Sequence, residues 1–209
     1  MWNMKYIVRG SKRAMTGMKY EGPGWETGEP MIEIKTSGNG ILLKTLERSK
    51  LAAVTELYNC GRDIRYATGV TDHVSCMELD ERLFNPETDE NGFMTGIYVQ
   101  SPYLAAPDRQ IQPVGLISGS LQSKTIWIKL IAILPQYRRK GVGSRSARLL
   151  LHHFKARYGA SEAFLSVIGE NRAGMLFWLD QGFSESVRFS KKLFGAEKQY
   201  EVIIMQKKL

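Results

Sequence analysis

Apolar and polar positions along the chain change period several times, and each change marks an element. Residues 31–36 alternate weakly, Ser37-Gly38-Asn39-Gly40 is a turn, and 41–46 is apolar; the Asn-Gly step favours left-handed torsions, so 31–46 predicts a hairpin. Leu51, Val54, Leu57 and Tyr58 recur at helical spacing and predict a helix over 47–59. Val74, Met77 and Leu83 suggest a second helix within 71–85. Residues 93–100 and 113–121 read as strands joined by a loop holding Pro102 and Pro107. Residues 125–134 are β-branched, aromatic and nearly continuous in apolar character, as a buried strand requires.

The second half is more regular. Ala147, Leu150, Leu151, Phe154 and Tyr158 make one apolar stripe, while Arg145, Arg148, Lys155 and Arg157 face the other way, which predicts a helix over 144–158 ended by Gly159. A strand at 163–168, a helix at 172–181 stopped by Gly182, and strands at 187–194 and 200–206 complete the chain. The first 29 residues hold five glycines and little apolar period, and read as a loop-rich extension to a single domain over 30–209. The order predicts an α/β fold, a mixed sheet flanked by helices.

Composition narrows the class without naming a function. The 209 residues are 43% apolar and 24% charged, ordinary for a globular domain. The longest apolar stretch, 126–134, is interrupted by Lys129 and falls far short of a bilayer span. The N-terminus lacks the pattern of a secretory leader, and the expectation is a cytoplasmic protein. Cys60 and Cys76 form no Cys-x-x-Cys pair and there are three histidines, so a metal site has no support and reduced thiols are expected. The net charge of +8 is unevenly spread. Residues 78–90 carry six carboxylates against Arg82 alone, a local balance of −5 on a body of +13. That segment could draw in a cationic substrate or be a solvated loop.

The most informative stretch is Ile131-Ala132-Ile133-Leu134-Pro135-Gln136-Tyr137-Arg138-Arg139-Lys140-Gly141-Val142-Gly143-Ser144. A strand runs into a cationic turn, two glycines and a helix start. That layout aims bare backbone N–H groups at one point, where the positive end of the helix dipole adds to them, and predicts an anion site.

These residues resemble the acetyl-coenzyme A motif of the Gcn5-related N-acetyltransferases (GNAT), Arg/Gln-x-x-Gly-x-Gly/Ala, here Arg138-Arg139-Lys140-Gly141-Val142-Gly143. A second signature, strand–Asn–helix–Gly-Phe, stands as Leu165-Ser166-Val167, Asn171, and Phe177-Trp178-Leu179-Asp180-Gln181-Gly182-Phe183. The resemblance implies a mostly antiparallel central sheet with one splayed strand leading into the cofactor-binding helix. It implies acetyl-coenzyme A as acyl donor and transfer to a primary amine. The pyrophosphate would sit on the N–H groups of residues 138–144, and the glycines would let backbone approach it. Ile131, Ala132 and Ile133 would pair with the pantetheine arm, Asn171 would hydrogen-bond it, and Phe177 and Trp178 would line the thioester end. Asn171 also suits a helix N-cap, and the two adjacent aromatics cannot share a face.

The chain departs from the family pattern at both proton-transfer positions. Trp178 stands where many members have an acidic tyrosine, and Trp127 stands about where protein-acetylating members have a basic glutamate. Glu170, Tyr137, an acidic residue of 78–90 or water remain as alternatives, and the catalytic residues stay unassigned. Two other readings compete: an acetyl-coenzyme A-binding regulatory domain with weak catalysis, and a basic nucleic-acid module carried by the cations of the 144–158 helix. A dinucleotide fold is disfavoured, because position 146 is Ser and Glu162 precedes its strand. The terminal segments could pair across a homodimer.

Overall fold

The computed structural model describes residues 32–59, 73–83, 91–99, 112–192 and 198–209, with the side chains of 80–83 left aside. The glycine-rich extension over 1–29, the Asn85-Pro86 turn, the Pro102/Pro107 loop and Cys60 lie outside these residues.

Eight strands form one sheet: β1 (Lys35–Gly38), β2 (Ile41–Thr45), β3 (Gly92–Val99), β4 (Gly115–Gln122), β5 (Thr125–Ile133), β6 (Glu162–Ile168), β7 (Ser184–Lys192) and β8 (Gln199–Lys208). Their order is β1-β2-β3-β4-β5-β6-β8-β7. Every pairing is antiparallel except β5 with β6. Among the described residues four α-helices accompany them: α1 (Leu51–Asn59), α2 (Cys76–Leu83), α3 (Val142–Tyr158) and α4 (Arg172–Asp180). The mixed, mostly antiparallel sheet is the expected one. The parallel pair exists because α3 carries the chain from the end of β5 back to the start of β6, a crossover that a hairpin cannot make.

Local chemistry accounts for the boundaries. Asn39 and Gly40 take φ of 52° and 72°, the left-handed pair that closes the β1–β2 hairpin. The expected helix over 47–59 is shorter: Arg48–Lys50 is a 3-10 turn, and the α-helix begins at Leu51. The expected helix over 71–85 is Cys76–Leu83, started by a reciprocal cap in which Glu78 N–H donates to Ser75 Oγ while Ser75 N–H and Oγ–H donate to Glu78 Oε2. Asn59, at the end of α1, exchanges two hydrogen bonds with the Val74 backbone (2.9 and 3.0 Å) and ties the two helices together. The last two strands start earlier than expected, at Ser184 and Gln199.

Two apolar clusters cover the two faces. The larger unites Phe93, Ile97, Ile117, Ile126, Ile128, Leu165, Ile203 and Met205 with Val142, Leu150 and Phe154 of α3. The smaller joins Met94, Leu116, Leu130 and Ala132 to Leu51, Val54 and Leu57 of α1 and Leu79 of α2. Membership along β5 reveals its irregularity. Ile126 and Ile128 face α3, whereas Leu130 and Ala132 face α1 and α2. An ideal strand would keep all four on one side. The β4 register resolves this: Gly119 pairs with Ile128 and Ser118 with Leu130, so Lys129 is an extra residue, a β-bulge that inverts the faces after it. The sequence could not show this, because the strand is apolar on both sides of the bulge.

Candidate active site

The bulge coincides with the point where the sheet opens. β5 pairs with β6 from Thr125↔Glu162 to Ile128↔Leu165 and no further. Past the bulge, residues 130–133 keep β4 on one side, while β6 continues along β8 alone. The result is a V-shaped slot whose closed end lies at Ile128 and Leu165 and whose open end lies at Ile133. Leu134 N–H is spent on Val114 O, so the Ile133 peptide groups point the other way, into the slot. Ile131 and Ile133 are half-buried against the cluster under α3; Ala132 is buried on the opposite face. The splayed strand is therefore present, and one acceptor on it is already engaged: Ile133 O accepts from Arg138 Nε at 2.8 Å.

At the open end the chain makes a 3-10 turn at Pro135–Tyr137 and enters α3. Arg138 N–H is consumed by Pro135 O. Arg139 then adopts φ 60° and Gly141 φ 72°. Left-handed torsions on both sides of Lys140 are the kind of turn in which successive N–H groups can gather around an anion. Helix α3 starts at Val142, two residues earlier than the apolar stripe suggested, with Gly141 as its N-cap. Glycine has no side chain to satisfy the first N–H groups, and no side-chain cap bond is made. Val142 buries its side chain in the core, so it offers its N–H alone. Arg139 and Lys140 are exposed at the rim.

Three neighbours fix this loop, and two of them carry no sequence signal. Arg145, expected to be a solvated cation, donates to Asn39 O (2.8 Å), Lys140 O (3.3 Å) and Gly141 O (3.3 Å). Its guanidinium gathers the loop carbonyls and ties them to the β1–β2 turn. Gln181 is only 4% exposed; its Nε2 donates to Ser144 Oγ (3.2 Å) and Asp180 Oδ2 (2.8 Å). With an amide donating to its oxygen, the Ser144 hydroxyl proton is directed elsewhere. Phe177, whose position the second signature did flag, lies against the α3 start: a Cβ on Gly143 would stand 3.4 Å from its ring and 3.7 Å from Ile133. These are ordinary contact distances, so Phe177 and Ile133 close off this side of the α3 start.

The two aromatics of α4 take different places. Phe177 is half-buried beside Gly143 and Ile133, at the slot. Trp178 is 6% exposed and packs edge-on against Phe177 and Phe183 in the core. Asn171 caps α4, its Oδ1 accepting from Gly174 N–H at 2.9 Å, which leaves the amide Nδ2 as a donor. Gly174 permits the fold-back, since a Cβ there would stand 2.6 Å from Asn171 Nδ2.

The proton-transfer alternatives fare unequally. Tyr137 and Glu170 both lie at the open end of the slot, one in the turn after β5 and one after β6, and Glu170 is ion-paired to Lys198 at 2.7 Å. Glu78 spends its carboxylate on the α2 cap. The acidic stretch beyond it has no described side chains. Glu162 opens β6 instead of ending a strand, so it cannot meet a ribose as a dinucleotide fold requires. Among the described residues no group of three or more His, Cys, Asp or Glu could hold a metal, and no helix is long and apolar enough to cross a membrane.

This geometry has known counterparts. A structure of a spermidine N-acetyltransferase from Vibrio cholerae in complex with CoA and spermine is similar, with a TM-score of 0.66 and 19% identity over 82% of this chain and 96% of that one. A probable acetyltransferase of the GNAT family from Chromobacterium violaceum gives 0.70 at 14% identity, covering 94% and 96%. The ribosomal-protein-S18-alanine N-acetyltransferase from Escherichia coli gives 0.59 at 17%, covering 80% and 93%. At such identities the likeness is one of fold. No curated protein matches the chain. The model of the acetyltransferase (GNAT) family matches residues 71–183, more than half of the chain, and spans the bulged strand, the uncapped helix and the Gly-Phe end. The chain belongs to the GNAT acetyltransferase family and is an N-acetyltransferase.

Proposed function

We propose that the protein transfers an acetyl group from acetyl-coenzyme A to a primary amine by direct attack. The observation that carries this reading is the start of α3, where a glycine N-cap and the left-handed Arg139 leave backbone N–H groups without a side-chain cap. A diphosphate supplies the missing acceptors, and the helix dipole adds to the attraction. Arg139 and Lys140 stand at the rim for further phosphate charge. Ile131 and Ile133, in the unpaired half of β5, would receive the amide-bearing arm as an added strand is received. Asn171 Nδ2 would donate to the same arm, and Phe177 would line it.

The reaction needs little from ionising side chains. The neutral amine attacks the thioester carbonyl and forms the C–N bond and a tetrahedral oxyanion; the oxyanion collapses as the C–S bond breaks, the amine proton passes to water, and the departing thiolate is protonated from water, giving an amide and free thiol. A β5 backbone N–H, at Ile133 in our reading, would stabilise the oxyanion. Trp178 is core and cannot serve as the acid. Positioning the two reactants in the slot accounts for a large share of rate by itself, with water taking the proton.

The test is calorimetric titration with acetyl-coenzyme A followed by free-thiol release across an amine library. Binding with amine-dependent thiol release supports the proposal. Binding without release for any amine leaves the regulatory reading, and no binding removes both.

A further inference from the structure

Gln181 ends α4, and its backbone is held on both sides: its N–H donates to Phe177 O at 3.1 Å, and its O accepts from Lys207 Nζ at 2.6 Å. The buried side chain crosses from α4 to the first turn of α3, where Nε2 donates to Asp180 Oδ2 at 2.8 Å and to Ser144 Oγ at 3.2 Å. Its Oε1 is buried and meets no donor. A buried amide oxygen left unmet costs free energy, so this orientation is held by the nitrogen. Asp180 supplies the reason. A carboxylate only accepts, so the amide atom that faces it is the nitrogen, and the same nitrogen faces Ser144. The Ser144 oxygen therefore accepts, and its proton is left to donate. Ser144 is half-buried and is the third residue of α3. The helix ladder opens with Arg145 N–H on Gly141 O at 3.0 Å; among the described residues the N–H groups of Val142, Gly143 and Ser144 meet no acceptor. A serine hydroxyl in a first turn can fold back onto the carbonyl four residues earlier, here Lys140 O. Arg145 Nη2 donates to that carbonyl at 3.3 Å, and among the described residues Ser144 Oγ donates to none.

Resting on the acetyl-transfer reading, which already places Ser144 among the cofactor residues, we infer that Gln181, oriented by Asp180, is a positioning residue that keeps the Ser144 hydroxyl proton turned toward the diphosphate. Asp180 sets the polarity, Gln181 passes it on through one amide nitrogen, and Ser144 presents it as a second donor beside its own N–H. The relay orders dipoles and moves no proton. Its effect is preorganisation: a donor already aimed spares the ligand the cost of turning it. Without the Gln181 amide the hydroxyl can swing back to Lys140 O, and a phosphate oxygen has to draw it out again. The relay also joins the two sequence signatures, because the residue before Gly182-Phe183 reaches the residue after the glycine pair. Asp180 gives the inference a sign of its own. An acidic side chain one amide away from an anion site opposes binding by Coulomb repulsion, so plain electrostatics and the relay predict opposite results for its removal.

The experiment is calorimetry with acetyl-coenzyme A on wild type, Ser144→Ala, Gln181→Met and the double variant. Each single variant is expected to bind about tenfold more weakly, and the double variant no more weakly than Ser144→Ala, because Gln181 acts only through that hydroxyl. In free-thiol assays the loss falls on the KM for acetyl-coenzyme A more than on kcat. Asp180→Ala changes an exposed side chain and leaves the core intact. It should weaken binding about threefold, where loss of repulsion alone would strengthen it, and should do so only while Ser144 is present. Should Gln181→Met fail to fold, Asp180→Ala in the wild-type and Ser144→Ala backgrounds decides. Additive losses in either double variant, or unchanged or tighter binding in Asp180→Ala, overturn the relay while wild-type binding keeps the transfer reading standing. No binding by wild type removes both.

Discussion

Helices α3 and α4 begin in opposite ways. At α4 the first orphan donors are met from within: Asn171 folds its side-chain oxygen onto Gly174 N–H, and Gly174 is small enough to allow it. α2 follows the same rule through Ser75 and Glu78. At α3 the N-cap is a left-handed glycine with no side chain, and the residues around it pull carbonyls away instead of supplying acceptors. An internal cap of Ser, Thr, Asn or Asp would stabilise α3 by about 1 kcal/mol. The chain forgoes that at the longest of the described helices, the one best able to bear the loss. A helix start kept open is one that an outside anion can close.

The largest way to break this contrast is Gly141→Val. A β-branched residue at φ 72° is strained by about 1–2 kcal/mol, and its side chain enters the cradle. Acetyl-coenzyme A affinity should fall about 30-fold by calorimetry. Unchanged affinity would remove the cradle from α3. Next is Arg145→Ala, which frees the carbonyls of Lys140, Gly141 and Asn39. About tenfold weaker binding is expected with a Tm within a few degrees of wild type, because these are exposed bonds and the helix itself persists. A fall in Tm without a fall in affinity would make Arg145 a stability residue alone.

The α4 start offers a sharper version. Asn171→Asp keeps the capping oxygen and loses the Nδ2 donor; Asn171→Ala loses both. Stability should drop by about 1 kcal/mol in the alanine variant only, while affinity falls a few-fold in each. Loss of affinity in the alanine variant alone would show that Asn171 acts on the helix and not on the ligand.

The smallest effect lies on the α3 stripe. Burial, then Arg157 and His152, hold the His153 imidazole below its usual 6.5. The unfolded chain therefore binds the proton first as pH falls, so stability is lost below about pH 6.5. Denaturant titrations at pH 7.5 and 5.5 should show that loss in wild type and a smaller one in His153→Phe. Equal losses would place the acid sensitivity elsewhere.

Local rules account for much of what the chain announces. The Asn39-Gly40 turn, the α3 stripe ended by Gly159 and the Gly182-Phe183 stop were legible because each depends on torsions or on a period within one element. The glycine pair at 141 and 143 was legible for the same reason. The Ser75–Glu78 cap was equally local, and its Ser-x-x-Glu spacing would have placed the α2 start.

The sequence by itself thus determined the element order, the family and the open helix start, all consequences of short-range chemistry. Tertiary structure alone decided the rest. The bulge at Lys129 depends on register with β4, and the slot depends on where β6 leaves β5 to follow β8. The same holds for the guanidinium of Arg145 reaching Asn39, 106 residues away, and for Gln181 meeting Ser144. Such contacts join elements distant in the chain, and no period or spacing encodes a distance in space.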